Sequence, residues 1–92
     1  MTELVFSAGV IVGTPAALDA LEFAEVNPAA LLVRHLSGDW GELDAEDRAA
    51  NDAALRGGGR LFSAYDLPTG ARVWIITEAD RSSTTVLLPE DY

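Results

Sequence analysis

No cysteine occurs among the 92 residues, so neither disulfides nor thiolate metal sites are available, and the redox compartment is left open. Lysine is missing too: all six basic residues are arginines, set against fifteen acids, for a net charge of −9. His35 is the only histidine. Any further metal ligand would have to be a carboxylate, which suits weakly held hard cations, and neither a metal nor another cofactor is expected. No apolar run approaches the roughly 18–20 residues that span a bilayer, and the N-terminal stretch lacks the basic start of a signal peptide. A cytoplasmic location without membrane contact is the expectation. The run Gly57-Gly58-Gly59 follows a helix and lacks a Gly-Lys-Ser/Thr ending, which excludes a phosphate-binding loop of the familiar kind. Duplex nucleic acid is a polyanion held mainly by lysine and arginine, so direct nucleic-acid binding is not expected. A protein partner with a basic nucleic-acid-binding surface fits the charge instead.

What is present is an ordinary apolar fraction, 49%. It is enough for one domain, residues 1–92, burying roughly 60–65% of its unfolded surface. The last third organises the chain. Arg72 to Glu78 is rich in β-branched and aromatic residues, which fit a pleated surface. Along it Val73, Ile75 and Thr77 share one face and Trp74 and Ile76 the other, so a central strand covered on both sides for part of its length is expected. Leu61 to Tyr65 and Thr84 to Leu88 flank it. Leu67-Pro68-Thr69-Gly70 and Ala79-Asp80-Arg81-Ser82 read as turns, with Pro68 presetting φ and Asp80 able to accept backbone N–H groups. Short connections make this an antiparallel meander.

Upstream, Leu4 to Val12 reads as a strand in two pieces, with a bulge or bend at Gly9. Thr14-Pro15 starts a first helix running to about Ala24, with Ala17, Leu18 and Leu21 inward. Asn27-Pro28 starts a second, to about Leu36, with Ala29, Leu32, Val33 and Leu36 on one side and Gly38 as its left-handed cap. Leu43 to Leu55 is a third, capped by Asp44, with Ala49, Ala50, Ala53 and Ala54 as its buried side. The order β-α-α-α-β-β-β gives an α+β domain: about three helices on one face of a small, mainly antiparallel sheet of at most four strands, with the first strand at an edge. Trp40 or Trp74 should lie at the helix–sheet seam.

Two sets of residues are candidates for function. The acidic segment carries Asp39, Glu42, Asp44, Glu46, Asp47 and Asp52 against Arg48 alone, with Trp40 in its leading loop. Carboxylates on a helix can imitate the spacing of duplex phosphates, and an exposed indole would anchor an interface; Asp44, Glu46 and Asp47 also stabilise the helix start. The second set, His35, Asp39, Arg60, Tyr65, Glu78 and Arg81, would make a small enzyme or ligand-binding pocket if it converged. Against that, a histidine at a helix C-terminus is commonly structural and favoured in its protonated form, and Arg81 has Glu78 and Asp80 beside it as ion-pair partners.

The strings Arg34-His35-Leu36-Ser37-Gly38-Asp39-Trp40-Gly41, Arg60-Leu61-Phe62-Ser63-Ala64-Tyr65, Trp74 to Ser82 and Thr84 to Tyr92, with Asp47 and Asn51 between them, together resemble a family of small plasmid-related proteins. These are hypothetical proteins carried on plasmids and integrative mobile elements. The similarity runs from the Thr14-Pro15 helix start to Tyr92, and it brings no catalytic residues with it. It implies a mobile-element accessory protein, and hence a non-catalytic inhibitor of a host defence complex, of anti-CRISPR or anti-restriction type.

Overall fold

The computed structural model describes residues 3–92. Four strands form one sheet, in the order β1-β4-β3-β2, from β1 (Val10–Gly13), β2 (Leu61–Asp66), β3 (Arg72–Thr77) and β4 (Ser83–Leu87). The C-terminal three make the expected antiparallel meander, with Ser63 opposite Ile75 and Ile75 opposite Val86. The first strand is an edge strand, parallel to β4, with Ile11 opposite Thr84. Helices α1 (Pro15–Phe23), α2 (Pro28–Leu36) and α3 (Ala45–Gly57) lie between β1 and β2 in the chain. The architecture is thus α+β in the expected order.

Each helix begins where its capping chemistry dictates. The side chains of Thr14, Asn27 and Asp44 accept from the amides of Ala17, Ala29 and Asp47, and proline occupies the first turn of α1 and α2, where its missing N–H costs no hydrogen bond. Gly38 closes α2 at φ +86°, with Asp39 N–H donating to the Arg34 carbonyl and Gly38 N–H to that of His35, a left-handed cap of the Schellman type.

One face of the sheet carries the core. Val73, Ile75, Val86 and Tyr65 pack beneath Ala17 and Leu21 of α1 and Leu31 of α2. A second cluster joins Trp40, Ala54 and Leu61, with Phe6, Leu43 and Leu55 around it. Three expectations about the inward faces need correction. Leu18 is 44% exposed and only Ala17 and Leu21 of α1 are buried. In α2 the buried positions are Leu31 and His35, while Ala29 and Val33 face out. In α3 they are Asn51 and Ala54, and Ala49, Ala50 and Ala53 are exposed. The cause in α2 and α3 is the same: a polar residue, His35 or Asn51, finds hydrogen-bond partners inside and so occupies a core position that apolarity alone would not assign it.

Two further corrections concern the first strand and Trp74. Leu4 to Val12 divides at Gly9, as expected, but its first piece is not a strand. Only Val10–Gly13 joins the ladder, after a turn at Gly9 with φ +64°. The segment before it lies on α2, where Val5 N–H donates to the Leu36 carbonyl at 2.8 Å. Trp74 points away from the helices and is half-buried, packed edge-on against Phe62 at 5.0 Å and Tyr92 at 5.8 Å. The tryptophan at the helix–sheet seam is Trp40. No helix among the described residues is long and apolar enough to cross a membrane.

Candidate functional site

The acidic segment is built around the outer edge of β2. Trp40 is 4% exposed, stacked on Phe6 and set edge-on against His35, with its indole N–H donating to Asp52 at 3.4 Å. It is a core side chain, so it is not available as an interface anchor. Asp39 pairs with Arg34 at 2.8 Å and accepts from Gly41 N–H, and the guanidinium bond holds its carboxyl below the usual range. Glu42 accepts from Asp66 N–H at 3.0 Å. Asp44 caps α3 by accepting from Asp47 N–H at 2.8 Å. Arg48, the one base in the segment, donates to the carbonyls of Leu43 and Gly41. Glu46, Asp47 and Asp52 sit on the solvent side of α3 beside the exposed Ala49, Ala50 and Ala53. The result is a helix surface of short methyl groups and carboxylates, which a large partner can approach closely.

The second set of candidates does not converge. His35 is fully buried. Arg60 reaches the Tyr92 hydroxyl at 2.9 Å and Glu78 at 3.8 Å, both at the surface. Tyr65 is buried, and its hydroxyl donates to the Asp39 carbonyl at 2.6 Å; burial pushes its pKa up to about 12. Arg81, expected to pair with Glu78 or Asp80, donates instead to the backbone carbonyls of Gly59, Ala54, Glu78 and Ala79. It thereby closes the C-terminus of α3 and holds its own turn, where φ is +62°. Asp80 accepts from Ser82 N–H, as its turn requires.

His35 belongs to a buried hydroxyl chain. Thr84 Oγ1 donates to the Ala8 carbonyl at 2.8 Å, so in its 2.7 Å bond with Thr77 it must accept. Thr77, having donated, accepts from His35 Nε2 at 2.9 Å. That fixes the neutral Nε2–H tautomer, and Nδ1 accepts from Ser63. Ser63, Thr77 and Thr84 are each completely buried. A Ser–His pair thus exists, but no substrate reaches it, and its role is to tie β2, β3 and β4 together. Burial also reverses the charge expected of this histidine, lowering its pKa to about 4.

A concave feature lies on the helix-free face of the sheet: a groove of about 250 Å³ lined by Arg60, Phe62, Trp74, Ile76 and Tyr92. Alternation along β3 placed Trp74 and Ile76 on one face in the sequence, but that Phe62, Arg60 and Tyr92 would join them there without a helix above was not legible. Among the described residues no group of three or more His, Cys, Asp or Glu side chains could hold a metal ion. Comparison with protein-family models, curated proteins and solved structures finds no match to the chain.

Proposed function

We propose that the chain is a non-catalytic binding protein whose α3 surface engages a basic, nucleic-acid-handling face of a protein partner. The observation that supports this reading is uncompensated charge. Five of the six arginines are taken up internally: Arg34 and Arg72 by Asp39 and Asp66, Arg60 by Glu78 and Tyr92, and Arg48 and Arg81 by backbone carbonyls. Among the described residues no cation pairs with Glu46, Asp47 or Asp52, and all three are exposed on one helix. A surface of that sign attracts a basic groove over a screening length of about 8–10 Å. The resemblance to plasmid-borne proteins supplies the class of partner, a host defence complex that grips DNA or RNA, of anti-CRISPR or anti-restriction type.

The test is cleavage of target DNA by purified CRISPR effectors and restriction enzymes in the presence of the chain. Inhibition should weaken steeply as salt is raised. Glu46→Lys with Asp47→Lys should lower inhibitory potency at least about tenfold, mainly through slower association. The same reversal at Asp19 and Glu22 on α1 should leave potency nearly unchanged. Circular dichroism establishes that α3 still forms, because both acids also favour its first turn. Equal inhibition by the folded α3 variant would sink the reading.

A further inference from the structure

We propose that β1 is a self-association edge, joining two copies of this chain in an antiparallel, twofold-symmetric pair that extends the sheet to eight strands. Apart from its length of four residues, the strand carries none of the devices by which edge strands resist pairing: it has no charge or proline, and nothing among the described residues covers its outer side. Val10, Ile11 and Val12 are 66%, 51% and 46% exposed. Leu18, which lies over Gly13, makes the fourth of the nine large apolar side chains exposed on the described surface to gather at this edge.

The backbone indicates which groups are free. Val10 N–H donates to the Ser82 carbonyl and Thr14 N–H to that of Val86. By the strand's two-residue period the amide groups of Val12 also face β4, while those of Ile11 and Gly13 point outward. An antiparallel partner satisfies all four outward groups in one register: Ile11 opposite Gly13 of the other copy, twice, with the two Val12 residues facing each other on the axis. Because Gly13 has no side chain, the opposing Ile11 can lie across it towards Leu18. Val10 and Val12 meet on the groove side of the sheet, and Ile11 and Leu18 on the helix side.

Charge selects a second copy as the occupant. From Leu4 to Leu18 the chain carries no charged residue, although its net charge is −9. Pairing β1 with β1 therefore brings together the one extended stretch where two such anions do not repel. It also leaves α3 of each copy beside β2, at the far ends of the joined sheet.

Sedimentation of the full chain should give twice the monomer mass, falling to the monomer mass on Ile11→Pro. That proline removes only an outward N–H, so the sheet should keep its circular dichroism. The register is tested independently, against a background free of native cysteine. Val12→Cys should form an intermolecular disulfide readily on mild oxidation, since facing positions of this kind stand about 4.5 Å apart at Cα. Val10→Cys should not, because its symmetry mate is offset by four residues, about 13 Å. A monomer at every concentration up to millimolar overturns the proposal. So does a dimer that survives Ile11→Pro, or cross-linking of Val10→Cys as efficient as that of Val12→Cys.

Discussion

The two edges of this sheet are finished in opposite ways. Along β2 each outward amide is met: Phe62 exchanges both its N–H and its carbonyl with the Asn51 side-chain amide, Ala64 bonds to the backbone of Trp40 and Glu42, and Asp66 N–H donates to the Glu42 carboxylate. Loop and helix together act as a false fifth strand. Along β1 nothing comparable is present among the described residues, and the side chains are apolar on both faces. An edge left bare in one place and triply covered in another shows that covering was within reach of this fold. The difference thus reads as a division of labour, one edge closed for stability and the other kept for contact.

The comparison can be broken most severely at Gly41, which bridges to Ala64 at φ +74°. A Cβ there would collide with the Ala64 carbonyl oxygen and crowd the Tyr65 ring. Gly41→Ala should cost more than about 3 kcal/mol in denaturant melts, since backbone strain and a steric clash act together. A loss under about 1 kcal/mol would show that the loop does not hold the β2 edge.

Acid should act almost as strongly. The folded-state pKa of His35 is lowered to about 4 by burial, against about 6.5 when unfolded, so the unfolded chain binds more protons as pH falls. The contribution is fully present above about pH 6.5 and is lost between there and pH 4, amounting to roughly 3 kcal/mol. The carboxylates held below their usual range, Asp39, Asp66, Asp80 and Asp91, add their own loss at the acid end of that window and below it. Urea melts from pH 7 to pH 4 measure it, and a flat profile would mean that His35 is hydrated.

At the covered edge, Asn51→Ala strands one N–H and one carbonyl of Phe62 and should cost about 1–3 kcal/mol. It should also raise aggregation, because it makes β2 resemble β1. Trp74→Ala on the helix-free face should cost less, about 1–2 kcal/mol, because that indole is only half-buried. The smallest effect belongs to Gly13→Ala at the open edge. The new methyl meets only the Leu18 side chain, at 3.1 Å, and φ is not in the left-handed region, so the change should stay below about 1 kcal/mol. The contrast between Gly41→Ala and Gly13→Ala is a direct measure of how differently the two edges are built.

Much of the fold was legible because local chemistry fixed it. Thr14-Pro15, Asn27-Pro28 and Asp44 start helices by satisfying their own first amides, and Pro68 with Gly70 turns β2 into β3 wherever the pair is placed. The meander followed from strand composition and short turns. The candidate site was less legible. The acids of α3 could be counted, and their place on a helix foreseen, yet whether Trp40 stood out from that helix or under it depended on Phe6, 34 residues away, folding back against it beside His35. The same holds for Arg81, whose neighbours Glu78 and Asp80 looked like ion-pair partners until Gly59 and Ala54 brought carbonyls within 3.1 Å.

The sequence alone determined element order, helix caps, turns and the sign of the charge, because each depends on residues within a few positions of one another. Tertiary structure decided which polar residues go inside, which face of the sheet stays bare and which edge is closed. A buried histidine or asparagine is tolerable only where hydroxyls or backbone groups from other strands meet it. An edge is open or covered only by virtue of what the rest of the chain, folded back, does or does not place beside it.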